Sequence, residues 1–95
     1  MSADLTVEHF EPLQDRGFTV ISADPAQELR LVEVERKGHG ERPGGAFSLL
    51  WQSSSGAVLP QGIYTMRNEA LGEFGVFIVP VGASEAGVRY EAIFA

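Results

Sequence analysis

A two-residue rhythm of apolar side chains, starting at Gly17 and running to Phe94, constrains this chain more than any other feature. Alternation of that period describes strands with one face turned inward. Six stretches carry it or a close variant: Phe18–Ser22, Glu28–Arg36, Ala46–Gln52, Gly62–Asn68, Glu73–Val79 and Val88–Phe94. Between them stand Asp24-Pro25, a glycine-rich stretch, Ser53–Gly56 with Pro60-Gln61-Gly62, Glu69–Gly72 and Gly82–Gly87, all built from turn-forming residues. No helical crossover separates the strands, which argues against a parallel sheet. The pattern predicts a mainly β fold: a six-stranded antiparallel meander curled into a small barrel or a sandwich.

Individual strands add detail. In Glu28–Arg36 the alternation slips, with Leu29 and Leu31 on one face and Val32 and Val34 on the other. A bulge near Leu31, or cover on both faces, accounts for this. In Glu73–Val79, Phe74, Val76 and Ile78 share one face and Phe77 and Val79 the other, which predicts a central strand buried on both sides. Pro80 is expected at that strand's end, because it has no N–H for a ladder. Ahead of the strands, Thr6–Arg16 reads as an interrupted helical segment. Thr6 suits an N-cap, Pro12 starts a second short turn, and Gly17 is a natural stop.

The 95 residues make one domain, 1–95, that includes the N-terminal helical segment. There is no cysteine, hence no disulfide and no thiolate metal site. Thirteen acidic against seven basic residues give a net charge of −6, which repels polyanions and argues against nucleic acid and anionic membranes as partners. No apolar run approaches the ~20 residues that span a bilayer. Met1-Ser2-Ala3-Asp4 lacks the basic and apolar character of a secretory signal, and a cytoplasmic setting is expected.

The turns Leu59-Pro60-Gln61-Gly62-Ile63-Tyr64, the segment Ala70-Leu71-Gly72-Glu73-Phe74, and Phe77-Ile78-Val79-Pro80-Val81-Gly82 form a recognisable pattern. Phe10, Gly17-Phe18, Phe47-Ser48-Leu49 and the closing Tyr90-Glu91-Ala92-Ile93-Phe94 extend it from about Leu5 to Phe94. This resembles an uncharacterised bacterial family of small β domains of unknown function, about as long as this chain. The resemblance implies an accessory or assembly role, since members are encoded beside phage-tail-collar-like proteins. It carries over no catalytic residue. Here Met66-Arg67-Asn68-Glu69 stands where the family has a His-Pro before the turn, so no role for that histidine transfers.

Each candidate site in the sequence has a simpler explanation. The stretch from Gly38 to Gly45 contains His39, Glu41 and Arg42, but a strand follows it instead of the helix a phosphate loop needs, and Pro43 interrupts the glycine pattern. The His39-x-Glu41 spacing matches zinc deaminases, which also require cysteine ligands. Serines at 53–55 and 84 sit in turns that join strands, not at a strand-to-helix elbow. Glu33 and Glu35 share a strand face with arginines interleaved, as on a solvated, salt-bridged surface. Trp51, Tyr64 and Tyr90 suit the core, with their polar tips reaching partners, or else a pocket.

The sequence therefore predicts a non-catalytic interaction or assembly module with no cofactor and no metal. Its partner would be another protein or a second copy, met by pairing at an open strand edge, Phe18–Ser22 or Val88–Phe94. The alternative is a small-ligand-binding barrel with aromatic residues around a mouth near the Lys37–Gly45 loop. His39, Glu41, Arg42, Trp51 and Tyr64 are the residues expected at an interaction or ligand site.

Overall fold

The computed structural model describes residues 5–38 and 45–95. Thr6 stands extended ahead of α1 (Val7–Phe10), and its backbone N–H donates to Nδ1 of His9 at 2.9 Å. Glu11–Leu13 then forms one 3₁₀ turn, with Pro12 at its start, where a missing N–H costs no hydrogen bond. The chain reverses at Asp15, not at Gly17 as expected. Asp15 takes φ 70°, a conformation that short acids tolerate better than branched residues do. It is held there on two sides: its N–H donates to the Leu31 carbonyl at 2.6 Å, and its carboxylate meets Arg30 at 3.1 Å.

Six strands follow: β1 (Gly17–Val20), β2 (Gln27–Gly38), β3 (Ala46–Ser53), β4 (Gly62–Asn68), β5 (Gly72–Ser84) and β6 (Gly87–Phe94). All pair antiparallel, in the spatial order β1-β2-β3-β6-β5-β4, and β4 returns to β1 to close a barrel. The expected meander is realised as two three-stranded runs, one of β1, β2 and β3 and the other of β4, β5 and β6, set side by side around the ring. Closure rests on a short seam. Thr19 pairs with Arg67 and Val20 with Met66, and the Ile21 N–H donates to the Thr65 carbonyl at 2.9 Å. Where this ladder ends, the buried Asn68 side chain extends it, donating from Nδ2 to the Gly17 carbonyl at 3.0 Å. Its Oδ1 accepts from the N–H groups of Ala70 and Leu71 and so shapes the following turn.

The closed ring corrects one expectation. β1 lies between β2 and β4, and β6 between β3 and β5. Neither offers the free edge that motivated edge-to-edge pairing, since a closed sheet removes its own edges.

Two of the three register shifts explain the strands whose alternation slips. Leu31 faces Trp51 and Val34 faces Leu49, so Val32 is the extra residue of a bulge in β2, and Leu29, Leu31 and Val34 all reach the core. In β5 the shift falls between Pro80 and Gly82. Pro80 therefore does not end the strand as expected: the bulge accommodates it and β5 runs on to Ser84. The expected 82–87 loop shrinks to Glu85-Ala86 between the paired Ser84 and Gly87. Gly87 has φ 124°, and a Cβ there would fall 2.8 Å from the Ser53 carbonyl carbon, so only glycine fits.

Side chains fill the barrel. At one end Phe10, with no exposed surface, is ringed by Phe18, Phe47, Phe74 and Phe94 at centroid distances of 6.4, 5.9, 5.8 and 5.8 Å. In the middle Trp51 meets Phe18 edge-on at 5.6 Å, beside Leu31, Leu49 and Met66. At the other end the segment 54–61 crosses the opening. The Leu59 N–H donates to the Tyr90 hydroxyl at 2.9 Å, and Ser53 Oγ donates to the Ser55 carbonyl at 3.0 Å.

Candidate interaction face on the outer barrel wall

Of the residues expected at a site, His39, Glu41 and Arg42 lie outside the described residues. Trp51 is fully buried, and its indole Nε1 has no hydrogen-bond partner; the edge-on Phe18 ring is its aromatic neighbour. Tyr64 is half-buried, and its hydroxyl donates to the Pro60 carbonyl at 2.6 Å. Tyr64 belongs to the end crossed by 54–61. Gly38 and Gly45, which flank the glycine-rich segment, lie beside Ala46 and Phe47 at the Phe10 end.

Of the two β2 glutamates expected on a salt-bridged face, both are exposed and Glu35 is paired, while the arginines on either side of them turn to the helical segment and the turn after it. Lys37 reaches Glu35 at 3.2 Å. Arg36 grips Glu11 through two hydrogen bonds of 2.9 Å and meets Glu8 at 3.6 Å. The Thr6 hydroxyl, the Glu8 N–H and Arg36 all favour the charged form of Glu8, holding its pKa below the usual glutamate value. Glu11 and Glu8 push the Arg36 pKa up. An open depression of about 790 Å³ lies between the 3₁₀ turn and the β4–β5 turn, with Arg16 and Arg67 balanced by Glu28 and Glu69. Among the described residues no three acidic or histidine side chains group as a metal site.

A different surface emerges from the strand register. Along β5, Phe74, Val76 and Ile78 point inward and are buried, so Gly75 and Phe77 point outward. Pairing sets Ile63 of β4 opposite Phe77, and Thr65 opposite Gly75. Val79 of β5 pairs with Glu91 of β6 at the end of that ladder, and two residues beyond it Phe77 and Ile93 are the outward residues of their strands. Three large apolar side chains on three neighbouring strands thus face solvent: Ile63 is 79% exposed, Phe77 51% and Ile93 65%. Val81, the extra residue at the β5 bulge, is also 51% exposed. A Cβ built at Gly75 would touch nothing within 4 Å. Charges of both signs border the patch: Arg67 pairs across the strands with Glu73, and β6 carries Arg89 and Glu91.

This wall corrects the reading of β5 as a strand covered on both faces. Its second face is open, and Phe77 shows that apolar residues on both faces of a strand need not mean a central position. Ile63, Phe77 and Ile93 are not among the residues expected at a site from the sequence. A signal was available: each is apolar at the position its own strand's alternation turns away from the core.

The fold and this wall define a closed six-stranded β-barrel domain with a filled interior and an apolar patch outside. The chain belongs to a family described as a domain of unknown function (DUF6916), whose model matches residues 5–94. No curated protein and no solved structure matches it. No helix among the described residues is long and apolar enough to cross a membrane.

Proposed function

We propose that the domain is a non-catalytic interaction module that acts through the outer wall of β4, β5 and β6. The supporting observation is the exposure of Ile63, Phe77 and Ile93 on one wall, while the remaining large apolar side chains of these strands, Val81 in the β5 bulge excepted, are buried or half-buried. Exposed apolar surface of this kind costs solubility unless a partner covers it. Burial of the patch supplies the driving force, and the mixed charges around it set orientation. An accessory role in bacterial assembly, in a phage-tail-like context, suits such a module and rests on the family resemblance alone.

The reading is tested by placing a photoreactive benzophenone amino acid at position 63, 77 or 93, or at Glu33 on the β2 side as a control, in cells that make the protein. Cross-links from the first three positions and none from the control are expected. Equal labelling from all four, or none from any, refutes the reading.

A further inference from the structure

We infer that the occupant of this wall is a second copy of the chain, packed face to face about a two-fold axis. The inference rests on the interaction reading above and names its partner.

The first argument is shape. A two-fold contact is self-complementary: whatever protrudes on one copy must meet a hollow on the other. β5 supplies both, one pleat apart on the same face. Phe77 protrudes, half of its surface in solvent, and Gly75 leaves the strand bare. A two-fold axis crossing β5 between them seats each Phe77 over the partner's Gly75. Glycine inside a strand is unfavourable and often marks a point where another backbone approaches. No atom outside its chain neighbours lies within 4 Å of the Gly75 Cβ position, so no close packing inside this chain calls for the glycine.

The second argument is area. Taking about 200 Å² for the full surface of a large apolar side chain, Ile63, Phe77, Ile93 and Val81 leave on the order of 450 Å² of apolar surface. A standard interface takes about 800 Å² from each partner, a little over half of it apolar. The wall supplies one partner's share.

The third argument is charge. Two chains of net charge −6 repel unless they meet where charge is balanced. Arg67 and Arg89 offset Glu73 and Glu91 around this patch. Glu8, Glu11, Glu33 and Glu35 lie elsewhere, on the helical segment and β2.

Sedimentation velocity over a wide concentration range tests the inference. The wild-type chain should form a reversible dimer. Gly75→Thr fills the hollow, and Phe77→Glu buries a charge; each should raise the dimer dissociation constant by about 30-fold or more. Glu33→Gln should leave it unchanged. Blue-shifted emission from the buried Trp51 confirms that each variant is folded, and if Phe77→Glu fails that check the Gly75→Thr result decides alone. A wild-type chain that stays monomeric at the highest concentration, or a dimer indifferent to Gly75→Thr, overturns the inference. Cross-links from Phe77 to a different protein, with a monomeric wild type, would overturn the second copy and leave the interaction reading standing. A monomer with no cross-link from the wall would remove both.

Discussion

Phe10 and Phe77 invite the same substitution with opposite outcomes. Phe10 has no exposed surface and touches four phenylalanine rings at the plugged end of the barrel. Phe10→Ala leaves a cavity there, at a cost of about 3–5 kcal/mol. Aromatic pairing, worth about 0.5–1.5 kcal/mol for each pair beyond its buried area, places the loss at the upper end of that range. Domains of this size have about 5–15 kcal/mol of stability, so the variant is left marginal. Phe77→Ala removes a ring that is 51% exposed and leaves no enclosed void. Its loss is that of a cross-strand pair with Ile63, about 1 kcal/mol or less. Urea unfolding at low protein concentration, followed by the single tryptophan, measures both. Trp51 is buried against Phe18, and its emission moves to the red on unfolding. If Phe77→Ala costs as much as Phe10→Ala, Phe77 is a core residue and the outer wall does not exist. If Phe10→Ala costs less than about 1 kcal/mol, the helical segment does not plug the barrel.

Three further outcomes follow from particular contacts. Gly87→Ala should cost at least about 2 kcal/mol in the same assay, because φ 124° is strained for any side chain and a Cβ would collide with Ser53, while Gly56→Ala, in open space, should be near neutral. Asn68→Ala removes three hydrogen bonds of a buried side chain and should cost about 2–3 kcal/mol, with hydrogen exchange quickening at Ala70 and Leu71. The Glu8 pKa is lowered in the fold, so its charged contacts add stability above the ordinary glutamate pKa and lose it as pH falls through the folded value. Melting temperatures of wild type and Glu8→Gln should therefore converge in acid; the gap is small for so exposed a pair and closes further with salt.

The architecture was legible because strand period and turn chemistry are local properties. The Gly62–Asn68 strand has the bounds its alternation predicts, and of the two explanations open for the slip at Leu31 the register shows the bulge, in which moving one residue restores the core face. Pro80 misled because a bulge, which depends on the pairing with β6, removes the conflict that proline poses in an isolated strand. Barrel closure was equally out of reach of local reasoning, since the β1–β4 seam joins residues far apart in sequence and relies on Asn68, whose side chain stands in for backbone. Of the two places open to the Trp51 ring, core or pocket, it takes the core, while Tyr64 is half-buried with its hydroxyl on the Pro60 carbonyl. The exposed wall went unseen because a single strand cannot tell an apolar residue that a neighbour covers from one that nothing covers. That distinction requires the registers of β4, β5 and β6 together.

Fluorine NMR of the chain with fluorinated phenylalanine at its six phenylalanine positions tests the spare outer face most directly. In dilute solution the Phe77 resonance should show the largest shift between light and heavy water, with the Phe10, Phe18, Phe47 and Phe74 resonances nearly insensitive to solvent. As concentration rises, the Phe77 solvent shift should shrink while the other four stay fixed. A Phe77 resonance shielded from solvent at every dilution would contradict the account.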